Sequence, residues 1–146
     1  MFARTYFAFS RNLNLFYVVD RWLNPYSRSK IIQFNDKPLE ISWTKRANQR
    51  LSKRHQPIYV EMQLFFSCVV KKRVLFHEVC EHESVFVTDN LRILFRPVEA
   101  ASCDPVEFAK NFPEKRTLET PGAIKMRARS LLIDFVEGQW LGEFLI

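Results

Sequence analysis

The sequence predicts one α+β domain, in which a mainly antiparallel β-sheet built from hairpins carries one or two helices on one face. Three observations lead to this prediction. Apolar and polar residues alternate with a period of two along several stretches, short turn-forming pairs separate those stretches, and one segment has the period of a helix. The 146 residues suit a single domain, and the chain shows neither an internal repeat nor a linker.

The N-terminal segment is rich in aromatic residues and contains the first alternating stretch. The period of two from Leu13 to Val19 predicts a strand, and Asn24-Pro25 marks a turn after it. Asn35-Asp36 marks a second turn before the helical segment.

The helix is predicted from Trp43 to Arg54, with Ser42 as its N-cap and Pro57 beyond its end. Trp43, Ala47 and Leu51 recur every four residues and form an apolar stripe that would face the sheet. The remaining surface is cationic and forms the first part of a predicted partner-binding face: Lys45, Arg46, Arg50, Lys53 and Arg54.

The strongest strand signal runs from Tyr59 to Val70. Its apolar residues share one face, while Glu61 and Gln63 lie on the other, which we expect to be solvated. The alternation keeps its phase past Lys71-Lys72-Arg73, so the segment is either a hairpin with a basic loop or one long strand. Because strands usually have about 3–10 residues, the pattern favours the hairpin. These three cations extend the predicted partner-binding face.

Two later hairpins are predicted from their turns. Asp89-Asn90 separates two short apolar stretches, and Glu137-Gly138 separates Met126–Val136 from Gln139–Ile146. Between them, Asp104-Pro105 predicts a short helix to Asn111, followed by a loop with Pro113 and Pro121-Gly122. The apolar faces of the strands supply the predicted core: Val60, Met62, Leu64, Phe66, Val74, Phe76, Ile93, Leu131, Ile133, Phe135, Trp140 and Phe144.

Composition excludes several classes of protein. The chain has only three glycines, too few for a glycine-rich phosphate loop or a dinucleotide-binding motif. The three cysteines are odd in number and lack a CxxC pair, which argues against a disulfide framework and for a reducing, cytoplasmic compartment. No apolar run approaches the ~18 residues of a membrane-spanning helix. The net charge of +6 favours polyanionic partners without identifying one.

His77, Cys80 and His82 form the candidate metal site, because imidazole and thiolate are good zinc ligands. On a strand, Cys80 and His82 would share a face, and Cys68 or Cys103 could complete the site. The spacing matches no zinc finger or knuckle, so a solvated strand end with a buried cysteine is the favoured interpretation. Zinc is the cofactor alternative, and the first expectation is that no cofactor is bound.

Catalysis is less well supported than binding. Cys80 lies between two histidines, but the flanking carboxylates of Glu78, Glu81 and Glu83 would raise its pKa and disfavour the reactive thiolate. Glu137 and Glu143 are the one carboxylate pair across a predicted hairpin, and Gly142 beside them is better explained by a bulge or crowded packing. The sequence lacks the known nucleophile and metalloprotease motifs, so we predict a non-enzymatic protein.

Nucleic-acid binding is an alternative that rests on charge. Three cations would share one face of a predicted strand, and they would form a phosphate-tracking surface if they converge with the basic helix and the Lys71–Arg73 cluster: Lys125, Arg127 and Arg129. Trp43 or Tyr59 could stack on bases. The motifs of common RNA- and DNA-binding domains are missing.

A protein partner or a homodimer is the favoured prediction. The strand Trp140–Ile146 is apolar to its end, so it must be paired or it becomes an adhesive edge. The aromatic N-terminal segment adds a second apolar surface. We therefore predict an interaction module with a cationic face.

Overall fold

The computed structural model describes residues 15–66, 70–101, 114–118 and 128–146. These ranges form two helices, α1 (Leu15–Leu23) and α2 (Lys45–Ser52), and nine strands. The strands are β1 (Arg28–Phe34), β2 (Lys37–Trp43), β3 (Ile58–Phe66), β4 (Val70–His77), β5 (Val85–Thr88), β6 (Leu91–Ala100), β7 (Glu114–Thr117), β8 (Ser130–Val136) and β9 (Gln139–Leu145). The α+β class is confirmed.

The strands form two sheets. Sheet 1 has the order β1-β2-β8-β9, and sheet 2 has the order β4-β3-β6-β5 with β7 paired to β6. Neighbouring strands are antiparallel hairpins except at the centre of each sheet, where β2 runs parallel to β8 and β3 runs parallel to β6. The predicted antiparallel character is therefore confirmed, and each parallel contact joins two hairpins.

The core lies between the apolar faces of the two sheets. The ring of Phe76 from β4 stacks on Trp140 from β9 with centroids 5.6 Å apart, and Phe95 meets Phe144 edge to face at 6.1 Å. Every predicted core residue is buried except Phe66 and Phe135, which are partly buried. The period of two thus located the core because the inner faces of the strands carry the apolar residues.

Gly142 lies where β9 crosses β4. A Cβ atom added at this position would lie 2.6 Å from Cγ1 of Val74 and 3.1 Å from Cζ of Phe76. Crowded packing therefore accounts for this glycine, with Val74 and Phe76 as the neighbours.

Three predicted turns are confirmed. Asn35-Asp36, Asp89-Asn90 and Glu137-Gly138 each form a two-residue connection between paired strands. The first and third pairs have positive φ at both residues, from 50° to 78°, as tight hairpin turns require.

The strand predicted from Leu13 to Val19 is wrong, because residues 15–23 form α1. Apolar residues occupy both alternating positions of this segment, so its pattern does not define one strand face. Asn24 helps to end the helix: its backbone amide and its Nδ2 both donate to the carbonyl of Asp20, at 2.9 and 3.0 Å.

The predicted helix from Trp43 to Arg54 is shorter than expected. Ser42 and Trp43 continue β2, and Thr44 is the N-cap, with its Oγ1 accepting the amide of Ala47 at 3.2 Å. Serine and threonine are both good N-cap residues, so residue type alone does not choose between Ser42 and Thr44. Ser42 does not cap the helix because it pairs with Ser29 in the β1–β2 ladder.

The predicted basic loop at Lys71-Lys72-Arg73 is also wrong, because these residues lie within β4. The hairpin itself is confirmed, since Phe66 pairs with Val70 and the connection is at residues 67–69. The helix predicted from Asp104 to Asn111 lies outside the described residues. The loop predicted around Pro113 and Pro121-Gly122 is wrong at residues 114–117, which form β7 because they pair with β6, and Pro113 and Pro121-Gly122 lie outside the described residues. The strand β7 was not predicted.

Candidate functional site

The predicted cationic face of α2 is divided between the interior and the surface. Lys45, Arg50 and Lys53 are exposed. Arg46 instead points inward: its Nη1 and Nη2 donate to the carboxylate of Asp20 at 2.9 and 2.8 Å, and its Nε and Nη2 donate to Asp134 at 2.8 and 2.7 Å. Arg46 therefore joins α1, α2 and β8, and its charge is neutralised within the fold.

Asp134 is the centre of this ionic cluster, and its side chain is only 1% exposed. Besides Arg46, it accepts hydrogen bonds from Oγ1 of Thr44 at 2.6 Å, the amide of Phe135 at 2.7 Å and Nη2 of Arg21 at 2.9 Å. Burial acts to raise the pKa of Asp134, but these donors outweigh burial and lower the pKa from 3.8 to about 2. The carboxylate is thus ionised and fully bonded.

The same contacts place α1 with its apolar side outward. Asp20 and Arg21 face the domain, while Phe16 and Trp22 are 84% and 80% exposed. At about 100° per residue, the exposed apolar residues fill one continuous half of the helix. We call this surface the α1 face; it consists of Phe16, Val18, Val19, Trp22 and Leu23.

The cations of β4 point to opposite sides of sheet 2, as alternation in a strand requires. Nζ of Lys72 lies 5.5 Å from the ring centroid of Phe144 and donates to the carbonyl of that residue at 2.8 Å. Arg73 donates from Nε to Oε1 of Gln63 at 2.6 Å and lies over the ring of Phe65. These two residues do not form one cationic surface.

Three predicted contact residues do converge. Arg50, Lys53 and Arg54 line one cavity of about 310 Å³ with His55 at the C-terminal end of α2. Glu78 also lines this cavity. Lys72 precedes Glu78 by six residues, which is about 20 Å along a strand, so Lys72 does not reach the cavity. Arg129 precedes β8 at the end opposite Asp134, while Lys125 and Arg127 lie outside the described residues.

The candidate metal ligands His77, Cys80 and His82 line another cavity, of about 250 Å³. Nε2 of His77 lies 3.7 Å from Oε1 of Glu61, and the Cys80 thiol donates to the carbonyl of His82 at 3.6 Å. Within the described ranges, no three His, Cys, Asp or Glu side chains are arranged to hold a metal ion. Zinc binding at these residues stays a prediction that the geometry does not favour.

Glu61 and Gln63 are the residues of this cavity that the sequence did not reveal. They were predicted to be solvated, but both are buried on the outer face of sheet 2. Glu61 accepts from Nε2 of Gln63 and from Nη1 of Arg96, the latter at 3.4 Å. Burial acts to raise the pKa of Glu61, but His77 and Arg96 lower it overall. No local pattern distinguishes such a buried polar face from a wet one.

Chemically, the lining of this cavity includes a buried carboxylate, an imidazole 3.7 Å from that carboxylate and a partly exposed thiol. Arg96 also donates from Nη2 to Oγ1 of Thr117 at 2.8 Å, so β3, β4, β6 and β7 all contribute polar groups to the outer face. The contacts from Gln63, Arg96 and His77 satisfy Glu61 within the protein, which explains how this charge is tolerated in the fold.

Glu137 and Glu143, the predicted carboxylate pair, lie at different ends of β9. Glu143 pairs with Leu132, whereas Glu137 lies in the turn. The four residue steps from Gln139 to Glu143 correspond to about 14 Å along the strand, so the two carboxylates do not act together.

Comparison with known protein families, with curated proteins and with solved structures finds no match to this chain. Neither helix in the described part has the length and apolar character needed to cross a membrane.

Proposed function

We propose that the protein is a non-enzymatic interaction module that forms a homodimer through the α1 face. The observation that carries this proposal is the orientation of α1. A surface helix normally buries its apolar side and exposes its charges. Here Asp20 and Arg21 are paired within the domain, and the aromatic rings of Phe16 and Trp22 face solvent.

The amount of exposed apolar surface supports an association site. A phenylalanine or tryptophan side chain contributes roughly 150–250 Å² when it is buried, so the α1 face offers on the order of 500 Å². Isolated exposed apolar residues are ordinary, but a continuous patch of this size is typical of a binding surface. A standard interface buries about 800 Å² per partner, so we expect a dimer of moderate affinity.

A second copy is the occupant that best fits the charge distribution. The α1 face carries no charged side chain, because the acid and the base of the helix are neutralised by Arg46 and Asp134. Two such faces can meet about a twofold axis without repulsion, although each chain has a net charge of +6. A strongly acidic partner would find no cation on this face.

The test compares oligomeric state in two matched double variants. Phe16→Ser with Trp22→Ser should convert a concentration-dependent dimer to a monomer, as measured by analytical ultracentrifugation. Ile31→Ser with Val79→Ser removes two exposed apolar side chains elsewhere and should leave the dimer intact. A wild-type chain that stays monomeric up to about 0.5 mM, well above the micromolar range of ordinary association, would contradict the proposal.

Tryptophan fluorescence supplies an independent readout. Trp43 and Trp140 are buried within the domain, whereas Trp22 is exposed. Emission should therefore shift to shorter wavelength as the concentration rises, because only Trp22 changes its surroundings on dimer formation. An unchanged emission spectrum in samples that sediment as dimers would show that another surface forms the contact.

We also propose that this module works in a reducing compartment such as the cytoplasm. The odd number of cysteines and the partly exposed free thiol of Cys80 support this assignment. Cys68 and Cys103 lie outside the described residues.

A further inference from the structure

The cavity at the C-terminal end of α2 has more positive charge than the fold uses. Its lining includes Arg50, Lys53, Arg54 and His55. The guanidinium of Arg54 forms two hydrogen bonds with the carboxylate of Glu78, so these two charges neutralise each other. Two exposed cations, Arg50 and Lys53, remain beside the imidazole of His55.

The helix terminus does not account for this charge. The C-terminal end of a helix carries about half a negative charge, spread over its last carbonyl groups. The carbonyl of Leu51 accepts the amides of Lys53 and of Arg54, the latter at 3.1 Å, and Nδ2 of Asn90 at 2.9 Å. These uncharged donors satisfy that carbonyl, and about half a negative charge offsets only part of the two positive charges of Arg50 and Lys53, so positive charge remains in excess.

Arg50 is also held in place. Its guanidinium carbon lies 5.2 Å from the ring centroid of Phe135, within the range of a cation–π contact. This contact restrains the guanidinium without using its N–H groups, which stay available to a ligand. A planar fork of donors matches the oxygens of a phosphate group.

We propose that this cavity binds a small phosphate-bearing molecule. A phosphomonoester carries about −1.5 to −2 charges at neutral pH, which matches the two excess cations. His55 supplies a hydrogen-bond donor in either protonation state. The cavity volume of about 310 Å³ is near the lower limit for small-molecule sites. The proposal is independent of the α1 face.

A single phosphate fits better than a nucleic-acid strand. A strand needs a continuous positive track, because its affinity comes from several phosphates at once. Lys72 is about 20 Å away along β4, and its Nζ already contacts Phe144. Arg129 lies at the far end of β8 from α2.

The test uses inorganic phosphate and phenyl phosphate as probes, at constant ionic strength and with the full chain. Titration followed by NMR chemical shifts should show saturable changes at residues 50–56. Arg50→Gln with Lys53→Gln should weaken binding at least ten-fold. Lys45→Gln, an exposed cation at the other end of α2, should leave the affinity within two-fold.

Three outcomes would overturn the proposal. Shifts that do not saturate would indicate general screening of charge, and equal losses in Lys45→Gln and in the double variant would indicate an effect of net charge. Binding of single-stranded RNA that strengthens steadily with RNA length would indicate a longer phosphate track. Circular dichroism of each variant verifies that the chain is folded.

Discussion

Gly142 sets the distance between the two sheets at one point. Val74 occupies the space that a Cβ atom on residue 142 would need. The neighbouring Phe76 is stacked on Trp140. Neither neighbour can move freely, because both belong to the buried core. The absence of a side chain at Gly142 is therefore a packing requirement.

We expect Gly142→Ala to lower the free energy of unfolding by about 1–3 kcal/mol, the usual cost of overpacking a core. Gly142→Val should cost more, because two further methyl groups enter the same space. Urea denaturation measures both changes. Gly138→Asn is the control, since this turn position has nothing within 4 Å of an added Cβ and asparagine accepts its φ of +78°. Equal stability of Gly142→Ala and the wild type would disprove the packing argument.

At the scale of elements, ion pairs connect α1 and α2 to sheet 1, and α2 also buries Ala47 and Leu51 in the core. Arg46 contacts carboxylates from both α1 and β8, and Arg21 contacts Asp134 while its guanidinium lies 4.2 Å from the ring centroid of Tyr26. Since the described apolar side chains of α1 face outward, these ion pairs are contacts that hold the opposite side of this helix to the domain.

Arg46→Gln should destabilise the protein by about 3 kcal/mol, because it leaves the buried Asp134 with fewer cationic partners. The amides of α1 should exchange hydrogen faster, while those of β3 should keep more of their protection. Urea denaturation and hydrogen exchange measure these two effects. Lys45→Gln removes the same charge from an exposed neighbour and should change stability by less than about 0.5 kcal/mol. Similar losses in the two variants would mean that net charge, and not the cluster, is responsible.

The elements differ in how far the sequence predicted them. Hairpins were predictable where a turn pair separates alternating stretches, as at Asn35-Asp36 and Glu137-Gly138, because turn geometry and side-chain period are local properties. The helix α1 was not predictable in this way, because its apolar residues lie on the side that faces outward and not on a side that packs on the core. The buried state of Glu61 depends on the segment 79–82 and on Arg96, which are distant in sequence. The helical period was enough to predict that Arg50, Lys53 and Arg54 lie on one surface. That Arg46 does not belong to this surface could not be predicted, because it depends on the tertiary contact with Asp134.

At the scale of the whole molecule, the buried carboxylates make the free energy of unfolding depend on pH in the acidic range. The pKa of Asp134 is lowered from 3.8 to about 2, and that of Glu61 is lowered as well. A carboxylate with a depressed pKa contributes stability above its unfolded pKa and loses that contribution as the pH falls through its folded pKa.

We therefore expect the contribution of these groups to stability to be constant above about pH 5 and to decrease between about pH 5 and pH 2. Asp134 alone should account for about 2 kcal/mol of this loss. Urea denaturation at pH 6, 4, 3 and 2 measures the effect, and Asp134→Asn should show a shallower decrease over the same interval. The same pH dependence in both proteins would rule out Asp134 as its source.

The chain order of sheet 1 has a consequence for biosynthesis. Its strands come from two distant parts of the chain, since β1 and β2 end at Trp43 while β8 begins at Ser130. Sheet 2 is made from the residues between them. A nascent chain can therefore pair β3 with β6 before β8 and β9 exist, but Val74 and Phe76 then have no opposing layer. Until residue 145 has left the ribosome, this half-built domain exposes its future interior, and it is at that stage that we expect chaperones to matter most.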